Sequence, residues 1–245
     1  MFAVYAFCRE VDDIADGEDD VGVKLDRLAR WKQEIDRLFT GTPTFPTARA
    51  LVGPIREFGL AREDFLAIIE GMEMDVRDTM RAPSLVDLEA YCDRVAGAVG
   101  LLSIRVFGAE ADHARDFAIA LGRALQCTNI LRDLAEDAAM GRLYLPREIL
   151  AARGIISSDP EVVLGHPALP MACQDFAALA EKHFSVAERA LVDCPGRALR
   201  PAVVMMMIYR RMLDRMQRNG WQPTRRPIGL SKPEKLWIAF RHGIL

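Results

Sequence analysis

No run of apolar residues in this chain of 245 approaches the roughly 18 that a bilayer-spanning helix needs. The start also lacks the basic stretch and apolar middle of a secretory signal. Neither sign of charge dominates, with 32 Lys and Arg against 35 Asp and Glu, so nothing in the bulk electrostatics draws the chain to nucleic acid. The cysteines, Cys8, Cys92, Cys127, Cys173 and Cys194, are odd in number, scattered and free of C-x-x-C spacing. A disulfide scaffold is thereby disfavoured, and thiols in a reducing cytoplasm are expected. The four histidines, at 113, 166, 183 and 242, show no zinc-ligand spacing. No low-complexity segment and no sustained strand alternation occur.

What is present is a chain 51% apolar, enough to bury a sizeable core, with helical periodicity nearly throughout. The spacing predicts helices over 2–16, 22–39, 46–58, 62–80, 84–107, 111–140, 172–193, 198–219 and 231–241. Breaks fall where Gly and Pro gather: 41–46, Ala82-Pro83 before a Ser84 cap, 194–196 and 219–227. The stretch 153–170 is the longest irregular connection. It could pass for a linker, but only two long helices and a short one follow it, and these read as part of one bundle.

The chemistry concentrates in QCTNILRDLAEDAAMGRLYLP, Gln126 to Pro146. On a helix, Gln126, Asn129, Asp133 and Asp137 are spaced three, four and four apart and form one polar stripe. Apolar Leu125, Ile130, Leu131 and Leu134 flank it, so the stripe points into a cleft. With Gly141 as the stop, Asp133, Glu136 and Asp137 sit in the last turns, where the macrodipole disfavours negative charge. Hard divalent cations would compensate them; the alternative is a solvated acidic helix end partly neutralised by Arg132 and Arg142. The same anomaly recurs in YAFCREVDDIADGEDD, where Asp12 and Asp16 precede Gly17. Two such clusters facing one another repel, and Mg²⁺ ions holding a diphosphate between them would relieve that repulsion.

Two further features bear on a ligand. Gly97 and Gly100 share a narrow face of one helix, which implies close approach of another backbone or of a ligand. Val203 to Ile208, VVMMMI, is an adaptable apolar wall, suited to a core or to a long apolar slot, with Tyr209 and Arg210 expected near its mouth.

The words YAFCREVDDIAD, YCDRVAGAVG and QCTNILRDLAEDAAMGRLYLP together resemble the squalene and phytoene synthase family, the head-to-head isoprenyl diphosphate synthases. The wording of the second motif, YRRMLDRM and SKPEKLWIAFRHG is most similar to the bacterial presqualene diphosphate-forming branch that serves hopanoid biosynthesis. The resemblance implies an all-α, single-domain isoprenoid-synthase-type bundle around a central cavity. It implies a Mg²⁺-dependent prenyltransferase, with Mn²⁺ as the other admissible ion, joining two farnesyl diphosphates to presqualene diphosphate and releasing diphosphate. Phytoene and dehydrosqualene synthases are the alternative within the family. The metal ligands would be Asp12, Asp16, Asp133, Asp137 and Asn129. Substrate would be held by Arg9, Tyr5, Gln126, Asn129, Arg132 and Tyr209. Tyr91 would join the four aspartates in catalysis, close to the reacting carbons. A prenyl substrate also implies transient contact with a membrane surface and hand-over to a downstream isoprenoid enzyme.

No Gly-rich strand-to-helix fingerprint is present, so the reaction is expected to stop before any NADPH-dependent reduction. Met1 falls just before the first Asp helix, where the family carries a segment with a serine and an aromatic residue that help close the diphosphate site. The chain also stops soon after KLWIAFRHG. These departures keep open a reading of another class, a non-catalytic helical binding or assembly protein. Asp12-Asp13-Ile14-Ala15-Asp16 also reads as DDxxD, which keeps head-to-tail prenyltransferases and terpene cyclases in view.

Overall fold

The longest helix, α7 (Ala111–Ala139), is the post on which the others are assembled. The computed structural model describes residues 1–78, 80–109, 111–194, 196–221 and 229–243. Before α7 come α1 (Phe2–Asp16), α2 (Val21–Thr40), α3 (Pro46–Phe58), α4 (Arg62–Val76), α5 (Leu85–Cys92) and α6 (Ala98–Val106), with a π-helical turn at Asp93–Gly97 joining the last two. After it come α8 (Arg147–Ala152), α9 (Pro160–Leu164), α10 (Leu169–Leu191), α11 (Arg200–Arg218) and α12 (Lys232–Gly243). The chain forms a single all-α domain, with no strand among the described residues. No helix among them is long and apolar enough to cross a membrane.

The helix ends follow local chemistry. Gly41 and Gly59 close α2 and α3 in the left-handed region, at φ 89° and 60°, where only glycine is unstrained. Ser84 caps α5 by accepting from the Asp87 amide at 3.1 Å. Gly141, at φ 77°, ends α7 as expected, and the Arg142 amide turns back to the Asp137 carbonyl at 2.8 Å. Gly17 ends α1 in an extended conformation instead.

Packing divides the interior into two contiguous apolar clusters. One surrounds α7, α10 and α11 and includes Phe117, Phe176, Phe184 and Met206. The other joins α1 to α4 around Phe7, Trp31, Ile35 and Phe65, with Phe7 edge-on to both Trp31 and Phe65 at 5.2 Å. The π turn and α6 lie between them and pack on α4 and α7. Gly71, Gly100 and Gly122 let these layers close: a Cβ on Gly122 would sit 2.8 Å from the Ala96 carbonyl, and one on Gly100 2.8 Å from that of Ala118. Gly97, by contrast, would meet nothing nearer than 3.7 Å. Backbone approach therefore explains Gly100 but not Gly97.

Several sequence expectations are corrected. The helix expected over 62–80 ends at Val76, because Asp78 and Ala82 take left-handed conformations, φ 53° and 49°. Those turns send the chain across to Leu143, whose carbonyl accepts from the Ala82 amide at 2.7 Å. The helix expected over 84–107 contains the π turn, and the irregular stretch over 153–170 contains α9, capped by Asp159. Helix α10 starts at Leu169, before the expected 172, because Pro170 is tolerated in a first turn. Most of the break expected at 219–227, and Pro195 of the break at 194–196, lie outside the described residues.

Candidate active site

Three helices deliver carboxylates from their C-terminal turns to one place. Asp12 and Asp16 come from α1, Asp75 from α4, and Asp133, Glu136 and Asp137 from α7. All six line a polar chamber of about 590 Å³, together with Arg9, Tyr91, Gln126, Asn129, Arg132, Arg142 and Tyr144. The two acidic motifs read from the sequence do therefore face a common space.

The chamber is electrostatically strained toward cations. Burial and then the neighbouring charge of Asp133 push the Asp137 carboxyl up to about 7, against relief from Arg142. Burial and then Asp16 raise Asp12, with partial relief from Arg9. Asp75 is pushed up to about 6 by burial, although Tyr144, Arg142 and Tyr91 favour its anion. Two tyrosines donate to Asp75, Tyr144 at 2.6 Å and Tyr91 at 2.9 Å, and their rings stack at 5.3 Å. Burial, reinforced by Asp75, holds the Tyr91 hydroxyl protonated well above the ordinary tyrosine range.

The arginines are already engaged. Arg132 Nε is 2.7 Å from Asp133 Oδ1, and its Nη2 meets the second carboxylate oxygen to complete a forked pair. Arg142 Nη1 reaches Asp16 at 2.6 Å and so links the loop after α7 to the end of α1. Burial works against the Arg142 charge, but Tyr144, Asp75 and Asp16 outweigh it and hold the guanidinium firmly protonated. Arg9 pairs with Asp13 at 3.2 Å and with Asp12 at 3.5 Å at the exposed rim.

The donors fit a hard divalent ion. Asn129 Oδ1 is buried and has no hydrogen-bond partner, an anomaly for an amide oxygen unless a ligand completes it. Among the described residues, no three His, Cys, Asp or Glu side chains converge into a cage of their own.

Two recesses share lining residues with the chamber, the larger one apolar and the smaller one mixed, with Arg9 and Asp12 in its lining. The larger, about 420 Å³, is walled by residues of the π turn, α6, α7 and α11, including Val99, Phe117, Leu121 and Met205, and Tyr209 lines it. The smaller, about 240 Å³, runs between Tyr5, Cys8, Ile68, Met72 and Val95. Gln126 lines both recesses and the chamber. Asn129 bridges the chamber and the larger recess. Tyr91 bridges the chamber and the smaller one.

Each candidate metal, substrate and catalytic residue read from the sequence thus lines one of these three spaces. Gly97 lines none of them, and the expected wall Val203 to Ile208 contributes only Met205, while Met206 is buried in the core. Arg210 also stands apart. Its guanidinium binds Glu181 and Glu188 of α10 and lies 5.6 Å over the Phe184 ring, so it ties α11 to α10 and stands away from the mouth. Sequence reasoning missed Asp75 and Tyr144, and treated Arg142 only as a surface counter-charge. Like Asp16 and Asp137, Asp75 is an acid near the C-terminal end of a helix, but the expected helix over 62–80 put that end elsewhere.

An all-helical bundle that turns acidic helix ends toward a polar chamber and sets that chamber beside an apolar recess defines a recognisable class. A family model described as squalene/phytoene synthase matches residues 1–234, and the chain belongs to that family. It is 44% identical over 245 residues to the presqualene diphosphate synthase of Sinorhizobium fredii, covering 100% of this chain and 88% of the relative. To the presqualene diphosphate synthase of Rhodopseudomonas palustris it is 43% identical, with the same coverage. Phytoene synthases are more distant. The fold is similar to that of a dehydrosqualene synthase solved with a ligand, at TM-score 0.85 and 26% identity over 99% of this chain and 84% of the other.

Proposed function

We propose that the protein joins two farnesyl diphosphates head to head, giving presqualene diphosphate and inorganic diphosphate, with Mg²⁺ and without NADPH. The observation that carries this reading is one polar chamber adjoined by an apolar recess and by a second recess of mixed lining, with Gln126 lining all three. Two diphosphate heads gathered in one polar space with their two prenyl tails leading away from it would use that arrangement. The 44% identity to a presqualene diphosphate synthase supports the choice of product.

Asp12, Asp16, Asp133, Asp137 and Asn129 would hold the metal, which when bound with diphosphate supplies charge neutralisation for the leaving group. Arg9 and Arg132 border the chamber and offer charge-assisted donors to phosphate oxygens. Stabilising negative charge where it develops lowers the barrier to C–O cleavage. The allylic cation left behind must be kept from water, which the apolar walls of the larger recess would exclude. Tyr91 stands where the chamber meets the smaller recess, its hydroxyl oriented by Asp75 at 2.9 Å. Tyr5 and Tyr209 would flank the two tails. A cytoplasmic enzyme of this kind passes its lipid product to a further isoprenoid enzyme.

The test is product analysis by mass spectrometry with farnesyl diphosphate and Mg²⁺ alone. Presqualene diphosphate is expected, lost in Asp12→Ala and in Asp133→Ala, and not converted to squalene when NADPH is added. A strict requirement for isopentenyl diphosphate, or squalene formation with NADPH, would overturn the proposal.

A further inference from the structure

Helix α12 (Lys232–Gly243) is amphipathic in the wrong direction for a helix that only completes a bundle. Its inner side, with Ile238, Ala239 and His242 half-buried, packs on α11. Its start is pinned there by Arg215, which donates to Gly229 at 2.8 Å and pairs with Glu234. The outer side is apolar: Leu236 is 71% exposed, Trp237 58% and Phe240 61%. Leu236 and Phe240 are one turn apart, and Trp237 stands beside them, so the three form one patch.

The rim of that patch is basic. Lys232 lies one turn before Leu236, Lys235 is adjacent, and Arg241 stacks on Trp237 with its guanidinium 5.3 Å from the ring. All three are exposed. Among the described residues, neither lysine has an ion-pair partner. The one acid in the helix, Glu234, is taken up by Arg215 and by the Ser231 hydroxyl at 2.8 Å. Among the described residues, the outer face of the helix therefore presents three cations around an aromatic and aliphatic centre, with its one carboxylate engaged.

We infer that α12 is a lipid-docking helix that lies in the headgroup layer of an anionic bilayer. Trp, Phe and Leu on one face with Lys and Arg at its edges is the composition that partitions into that layer. Basic residues close to an anionic surface each add attraction. A second copy of the same face fits poorly, because it would set three cations against three. The inference rests on α12 alone and stands or falls separately from the coupling reaction.

The experiment uses vesicles without substrate. Trp31 and Trp221 are buried, at 3% and 7% exposure, so a change in tryptophan emission on adding vesicles reports chiefly Trp237. With vesicles of phosphatidylcholine containing about one-quarter phosphatidylglycerol, the protein is expected to co-sediment and its emission to move to the blue. Pure phosphatidylcholine and high salt should both weaken binding. Leu236→Ser with Phe240→Ser should abolish the shift. Lys232→Glu with Lys235→Glu, which alters only solvated side chains, should lower affinity for the anionic vesicles at least tenfold while leaving the melting curve unchanged. Absence of co-sedimentation, or equal binding by both double variants and the parent chain, would overturn the inference. So would a concentration-dependent dimer that the double-serine variant dissolves.

Discussion

Arg142 Nη1 stands 2.6 Å from Asp16 Oδ1, across about half of the sequence, and so ties the end of the first helix to the turn after the seventh. The arginine side chain is only 18% exposed, against 41% for the aspartate, and the pair holds two acidic motifs in register. Arg142→Gln should lower the melting temperature by a few degrees, the size expected for about 1 kcal/mol in a chain of this length. Turnover should fall further than stability, by at least tenfold in kcat/KM, because the chamber loses a cation as well as a tie. Calorimetry beside steady-state kinetics measures both. An unchanged kcat/KM would reduce the pair to a surface contact.

Like charges gathered in one chamber imply that a complementary ligand stabilises the fold. Mg²⁺ with inorganic diphosphate, at about a hundred times its dissociation constant, should contribute roughly 2.7 kcal/mol, a rise of about 5–10 °C. Neither component alone should achieve this, and chelation should reverse it. Asp133→Asn should lose most of the effect while folding normally, as a thermal shift assay would reveal.

Tyr91 and Tyr144 donate to the same carboxylate, so their deletion separates support from chemistry. Tyr144→Phe and Tyr91→Phe should each cost about 1–3 kcal/mol of stability, since each leaves Asp75 with one donor fewer in a buried setting. Tyr91→Phe should lower kcat much more than Tyr144→Phe, because only Tyr91 also borders a recess. Urea midpoints and single-turnover rates provide the comparison. Equal kinetic losses would make both residues purely positioning.

Glu34 gives a pH dependence remote from the chamber. Its side chain is inaccessible; burial pushes the carboxyl up, but donors outweigh that and leave it below the ordinary glutamate range. They are the Phe45 amide at 2.7 Å, the Thr44 hydroxyl at 2.7 Å, the Thr44 amide and Arg37 at 3.2 Å. A lowered folded pKa means that the unfolded chain takes up the proton first. The contribution is therefore complete above the unfolded value and is lost as pH falls from about 4.3 through the folded value. Glu34→Gln should be less stable at neutral pH by about 2 kcal/mol and should show a flatter decline in acid. Denaturant titrations across that range would detect it.

Much of the site was legible because helical spacing is a local property. Asp12 with Asp16, and Asn129 with Asp133 and Asp137, fall on one face whatever surrounds them, and Gly141 marks where the second motif ends. Asp75 shows where that reading fails. Its acid lies near a helix end like the others, but the end itself was hidden: no glycine marks the turn at Asp78, and the helix was extended to residue 80. Arg210 failed for the opposite reason, since a position beside an apolar wall does not reveal whether a side chain turns to the mouth or to Glu181 and Glu188.

By itself, then, the sequence determined most of the helices and the two acidic faces, both consequences of spacing within about four residues. Only the tertiary structure decided that α4 adds a third carboxylate and that Tyr91 and Tyr144 share it. It also decided that Gly122 lets α7 meet the π turn, and that Gln126 stands where three spaces join. Those are relations between residues far apart in the chain, set by how the helices pack, and no local periodicity encodes them.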